Sequence, residues 1–246
     1  MKFSRLAVAL SLLLLTSCNE SANKQRADIR ASFLGFSRAF YAGEGEQALA
    51  YISRKTFEYY DRLLPQLRHA DERRLSSLPP FALFACLSLR HRYEREELVT
   101  MDSRTIIREA FDSMTFPGGA PHFLDIGEIL IKEPGKEAVA TVFLAPGEKH
   151  ENALVAFIWE NGTWKMDLTS VFGVLSIQLE AHLEDPSASR AQKALHYLQV
   201  HENQQIGGEI LLPVMPRSRF PALSRKAFTP PRASIPLKSA KNSKIP

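Results

Sequence analysis

Apolar residues in the first half of the chain recur at the three- and four-residue spacing of a helix. The first stripe consists of Ile29, Phe33, Phe36, Phe40 and Tyr41. We therefore expect a helix that begins at Asp28, whose carboxylate suits a helix N-terminus. The same spacing predicts further helices over residues 47–52, 56–67, 79–95 and 104–114.

From residue 122 the apolar pattern changes to the alternation of β-strands. Four strands are predicted, over residues 122–132, 137–145, 150–160 and 163–168. Asn161-Gly162 between the last two is a strong hairpin signal, because both residues accept a positive φ. Helical spacing then returns at residues 171–183 and 188–204. We therefore expect an α+β fold, in which N-terminal helices pack on a curved antiparallel four-stranded meander and two C-terminal helices follow.

The start of the chain has the pattern of an export signal. Lys2 and Arg5 supply positive charge, and residues 6–15 are apolar except for Ser11. A run of about ten apolar residues is too short to span a hydrocarbon core, which needs roughly 20. We therefore interpret residues 1–17 as a signal peptide that is removed and residues 18–27 as a polar tether.

The end of this segment, Leu15-Thr16-Ser17-Cys18, resembles the lipobox of bacterial lipoproteins. The resemblance implies a diacylglyceryl group on Cys18, cleavage before it and acylation of the new N-terminus with a chain such as palmitate. Three acyl chains are enough for stable anchoring. The expected location is a membrane surface facing the periplasm or cell exterior, and Asn19 after the cysteine favours the outer membrane. An ordinary cleaved signal is the alternative.

Charge is distributed unevenly along the chain. The formal net charge is +4, yet residues 213–246 contain eight basic residues and no acidic one. Without these eight and the two of the signal, residues 18–212 hold 21 basic and 27 acidic residues. An acidic body argues against nucleic-acid binding. We expect one domain over residues 28–206 and a disordered, Pro-rich basic tail over 207–246, which is either inert or binds anionic lipid or a cell-wall polymer.

Two strings resemble the nuclear-transport-factor-2-like superfamily, also called the ketosteroid-isomerase-like or cone fold. Phe-Tyr-Ala-Gly-Glu-Gly-Glu-Gln-Ala-Leu (40–49) is similar to its opening, and the hairpin over residues 156–168 is similar to its closing hairpin. The resemblance covers about residues 28–170 and implies a cone-like domain around a cavity. The helical segment 55–119 is longer than such a cone usually has, so an unrelated α+β lipoprotein domain is the alternative.

Candidate chemistry is sparse. The resemblance implies polar groups in a cone cavity, for which the candidates are Tyr60, Asp61, His91 and Tyr93. Ordinary amphipathic packing, with Tyr60 inward and Asp61 outward, explains them as well. With Cys18 acylated, Cys86 has no disulfide partner, and its apolar neighbours predict a small buried hydrophobe. The histidine spacing predicts no metal site, and no catalytic residue or cofactor is predicted.

These observations favour a lipid-anchored envelope protein whose domain binds a ligand or partner without catalysis. A small-molecule enzyme of isomerase or cyclase type, using polar groups in the cone cavity, is the second hypothesis. A structural envelope scaffold is the third. The sequence identifies no protein partner.

Overall fold

The computed structural model describes the backbone of residues 3–112, 125–145, 148–184 and 187–215. This part of the chain is mixed α and β, with a four-stranded antiparallel open sheet, as predicted. The helices are α1 (Phe3–Tyr41), α2 (Gly45–Leu49), α3 (Arg54–His69), α4 (Glu72–Ser76), α5 (Pro80–Arg92), α6 (Arg95–Thr100), α7 (Ser103–Asp112), α8 (Thr169–Glu180) and α9 (Arg190–Glu202). The strands are β1 (Asp125–Glu133), β2 (Glu137–Ala145), β3 (Glu148–Glu160) and β4 (Thr163–Asp167).

Helix α1 begins much earlier than the predicted start at Asp28. The residues interpreted as a tether, 18–27, are helical. They contain neither Gly nor Pro and include the good helix formers Ala22, Lys24, Gln25 and Arg26, so helical structure continues through them. The helix ends in a Schellman motif at Gly43, which has φ +68°. There the Glu44 N–H donates to the Ala39 carbonyl at 2.9 Å.

The sheet has the simple order β1-β2-β3-β4. The Asn161-Gly162 turn joins the last two strands with φ of 52° and 80°, as the hairpin signal predicted. The register aligns Ile131, Ala138, Phe157 and Met166 in one cross-strand row. Side chains of this row point to the same side of the sheet, which packs against the helices.

Both edges of the sheet are covered by polar contacts from elsewhere in the chain. On β1, Arg30 donates to the Ile126 and Gly127 carbonyls at 2.7 and 2.8 Å, where the register shifts. On β4, the Met166 N–H donates to the Tyr51 carbonyl at 2.7 Å and the Ser53 N–H to the Met166 carbonyl at 2.9 Å. These contacts oppose pairing with another strand at either edge.

The core continues from the sheet into the helices. Helix α1 contacts β1 and β4 and contributes Phe33, Phe36 and Phe40, which are all buried. Helix α5 is buried on nearly all sides, from Pro80 to Ser88, because it lies between α3, α8 and α9. Its Phe81 stacks on Phe172 of α8 with ring centroids 4.1 Å apart.

The packed chain extends beyond the predicted domain end at residue 206. Residues 207–215 follow α9, form a short 3-10 turn over Gly208–Leu211 and bury Ile210, Leu211 and Val214. The sequence placed this segment in the tail because only a few apolar residues precede the Pro-rich, basic stretch. Residues 216–246, which hold the rest of the predicted tail, lie outside the described residues.

Candidate functional site

A groove on the surface follows α6, and we call it the α6 groove. One wall is the end of α5 and the start of α6, and the other is the segment 209–214. Its volume is about 350 Å³, and a second recess of about 370 Å³ adjoins it at Arg95 and Val214. That recess also contacts Glu96, Val99 and Met215, so the groove changes from polar to apolar along its length.

The floor of the groove depends on Arg90, which lies in the last turn of α5 and is 7% exposed. Its guanidinium donates five hydrogen bonds to backbone carbonyls, at 2.7 to 3.2 Å; the acceptors are Gln66, Leu67, Ala70, Ile210 and Leu212. Three of these carbonyls lie at the C-terminal end of α3, where the last turn of a helix lacks intrahelical donors; Gln66 alone of the three also accepts from the Ala70 N–H. Arg90 therefore fastens the segment 207–215 to α3.

Further contacts hold the outer wall of the groove. Arg95 donates to the Pro213 carbonyl at 2.8 Å and also to the Val214 carbonyl. The Met215 N–H donates to the Arg68 carbonyl at 2.8 Å, and Nδ1 of His69 lies 3.3 Å from the Met215 carbonyl. The described chain thus ends beside the groove, at the C-terminus of α3.

The four candidate cavity residues do not form one cluster. His91 and Tyr93 both line the α6 groove, where Nε2 of His91 lies 3.1 Å from Oε1 of Gln204 and 3.4 Å from Glu202. Tyr60 lies in the aromatic core, 6.1 Å from the ring of Phe172, and Asp61 is exposed. The structure therefore brings together two of the four and separates the other two from them.

Burial keeps the hydroxyl and thiol groups of the core neutral. It raises the pKa of Tyr60 and of Tyr59, and for Tyr59 the neighbouring Tyr60 acts in the same direction. Burial also raises the pKa of the Cys86 thiol to about 12, although Arg90 opposes this. The thiolate is the reactive form of cysteine. Cys86 is therefore packed as a neutral thiol, in agreement with its apolar sequence neighbourhood.

Large apolar side chains are buried on the face of the sheet that lies against the helices. Trp164, Phe157 and Met166 on this face are at most 2% exposed, and so are Phe33 and Phe111 from α1 and α7. Nε1 of Trp164 has no hydrogen-bond acceptor among the described residues, which is consistent with apolar surroundings. These five side chains form an apolar layer and supply no cluster of polar groups.

Sequence reasoning missed Arg90, the residue on which the groove depends. A signal was present, since Arg90 directly follows the apolar run 81–89. A charged residue that follows such an apolar run is usually exposed. The burial of Arg90 becomes clear only when α3 and the segment 207–215 are placed beside it. The sequence could not show that these segments, more than 100 residues apart, meet at this arginine.

In the described residues, no group of three or more His, Cys, Asp or Glu side chains is placed to hold a metal ion. No helix found there is both long enough and apolar enough to cross a membrane. No family model, curated protein or solved structure matches the chain.

Proposed function

We propose that this chain is a lipid-anchored cell-envelope protein whose domain binds a ligand or partner without catalysing a reaction. Acyl chains on Cys18 attach it to the membrane, and the domain faces the periplasm or the cell exterior, with the outer membrane favoured by Asn19. The lipobox resemblance at residues 15–18 supports the anchor.

The packing on the helix-facing side of the sheet supports a non-catalytic domain. A cone-fold enzyme needs an apolar cavity with two or more inward polar groups whose pKa values suit proton transfer. On this face Trp164, Phe157 and Phe33 occupy the space instead, and each is at most 2% exposed. The domain is then a cone-like relative in which packing replaces the cavity.

The α6 groove is the surface on which binding is proposed. Its polar part contains His91, Tyr93 and Glu94, and its apolar part contains Val99 and Val214. An open groove of this mixed character suits an extended peptide segment of a protein partner better than a small molecule, which usually occupies a deeper pocket.

The isomerase or cyclase hypothesis rests on a smaller observation. Tyr60 and Tyr59 are two buried phenols whose rings lie 5.6 Å apart, and burial keeps them protonated. Protonated phenols can donate hydrogen bonds to a developing oxyanion. The rings that surround them, however, are those of Phe81 and Phe172, which supply no base.

Replacement of Cys18 tests the anchor. We expect Cys18→Ala, expressed as the full chain in a bacterial host, to lose acylation and to move from the detergent phase to the aqueous phase. Cys86→Ala is the matched control, because Cys86 is buried and should have no effect on partitioning. Mass spectrometry of the N-terminal peptide and detergent-phase partitioning measure the two effects. Unchanged partitioning of Cys18→Ala would contradict the proposal.

A further inference from the structure

We propose that the hairpin end of the sheet lies against the membrane surface, with Trp159 inserted among the lipid headgroups. The hairpin end is defined here by the β1–β2 turn (Pro134-Gly135) and the β3–β4 turn (Asn161-Gly162) together with Trp159. The inference rests on the proposed acylation of Cys18 and adds the orientation of the domain and the surface that contacts lipid.

Helix α1 sets the distance between the anchor and the domain. The Gly135 N–H donates to Oε1 of Gln25 at 2.9 Å, and Nε of Arg26 donates to the Ile129 carbonyl at 3.3 Å. Gln25 follows Cys18 by seven positions of the helix, a rise of about 10 Å. The headgroup region of one leaflet is about 5–8 Å thick. An acylated Cys18 therefore places the β1–β2 turn at the outer boundary of the headgroups.

The two turns lie at the same end of the sheet. In an antiparallel meander the first and third turns are at one end and the second is at the other. The register agrees, because the Trp159 N–H donates to the Lys136 carbonyl at 2.9 Å. Trp159 is thus a close neighbour of the turn that Gln25 contacts.

Trp159 differs sharply from the only other tryptophan of the chain. Trp159 is 40% exposed and Trp164 is 2% exposed, although their rings are only 5.4 Å apart. A large exposed indole combines an apolar ring with an N–H donor, and this combination is favoured at membrane–water interfaces. Trp159 lies close to the part of α1 that directly follows Cys18. Its exposed ring is therefore expected to contact lipid.

The charges that flank the β1–β2 turn cancel and would not hold that turn to the membrane. The β1–β2 turn is flanked by Lys132 and Lys136 and by Glu133 and Glu137, and Lys136 is paired with Glu133. Two charges of each sign give no net attraction to anionic lipid. We therefore expect the contact to form on zwitterionic vesicles, in contrast to a contact made by the basic tail.

The opposite end of α3 supplies a control position. Glu160 contacts the first residue of α3, Arg54, whereas the α6 groove lies at its last residues. Helix α3 has 16 residues, a length of about 24 Å. Val99 on α6 is 36% exposed and belongs to that distant end. A probe at residue 99 should therefore remain in water while a probe at residue 159 contacts lipid.

The experiment compares Trp159→Cys with Val99→Cys in the acylated full chain. Each variant carries one accessible thiol, because Cys18 is blocked by its thioether and Cys86 is fully buried. An environment-sensitive fluorophore is attached, and the protein is reconstituted into phosphatidylcholine vesicles that contain brominated acyl chains. We expect quenching at residue 159 to exceed that at residue 99 at least threefold, also in a chain that lacks residues 216–246.

Two results would overturn the inference and can be told apart. If the protein floats with the vesicles but the two probes are quenched equally, the orientation is wrong and the anchor stands. If the protein does not float, the anchor is wrong and the orientation falls with it. The unlabelled protein gives a second measurement, because brominated lipid should quench its tryptophan fluorescence when Trp159 contacts lipid.

Discussion

Two of the regions in which arginine side chains bind backbone carbonyls differ in burial. At the β1 edge, the exposed Arg30 donates to two carbonyls, those of Ile126 and Gly127. At the end of α3, the buried Arg90 donates to five. Water can replace Arg30 at its acceptors but has little access to those of Arg90. Burial therefore decides how much each arginine contributes to stability.

Removal of the Arg90 guanidinium should give the largest effect. We expect Arg90→Met to lower the free energy of unfolding by about 3–5 kcal/mol, since it removes the arginine donor from the buried carbonyls of Leu67, Ala70 and Ile210. Arg30→Met is the matched control and should cost less than about 1 kcal/mol. Urea unfolding monitored by circular dichroism measures both. Equal losses would mean that burial does not separate the two regions.

Arg90→Met should also release the segment 207–215 in the native state. Limited proteolysis detects this as faster cleavage near Ile210, with the core of the domain intact. Arg30→Met should leave that cleavage rate unchanged, because Arg30 contacts only the sheet.

The buried thiol beside Arg90 should make stability fall at alkaline pH. The pKa of Cys86 is about 12 in the native protein and about 9 when the thiol is free in water. Between these values the unfolded chain loses a proton that the native chain keeps, so unfolding becomes more favourable as pH rises. The expected contribution is about 1.4 kcal/mol per pH unit. The stabilisation that comes from the neutral thiol is fully present below about pH 9 and is lost as the pH approaches 12.

Comparison with Cys86→Ala isolates this contribution from that of the buried tyrosines. The wild-type protein should show a steeper decrease of unfolding free energy between pH 9 and pH 10 than the variant. A decrease of equal slope in both proteins would show that the thiol is accessible to solvent in the native state.

A smaller effect is expected at the hairpin end. Both carboxylate oxygens of Glu160 accept from the Arg54 N–H, at 3.0 and 3.3 Å, so this side chain caps the N-terminus of α3 from another element. Glu160→Ala should lower the free energy of unfolding by about 1 kcal/mol. Glu137→Ala on the neighbouring exposed position should change it by less than about 0.5 kcal/mol. Thermal unfolding at low ionic strength measures the difference.

Local signals predicted the sheet well and the helix boundaries less well. Asn161-Gly162 and the β-branched run 137–145 depend only on neighbouring residues, and the structure has the turn and β2 at those positions. The predicted helix over 79–95 ends instead at Arg92, because Tyr93 is extended, and α6, which was not predicted, begins at Arg95 with a capping box of Glu94 and Glu97. Apolar spacing alone could not reveal this break.

By itself, the sequence determined the mixed α and β class, the four-stranded meander and the burial of Cys86, since each follows from residues that are close along the chain. The lipobox resemblance, which remains a prediction, and the basic composition of residues 213–246 were also visible in the sequence. Only the tertiary structure decided that Gln25 of α1 lies against the β1–β2 turn, that Trp159 is exposed while Trp164 is buried, and that residues 207–215 belong to the domain. These features depend on segments up to more than 100 residues apart, and hydrogen bonds such as those of Arg90 exist only once packing has brought their carbonyls together.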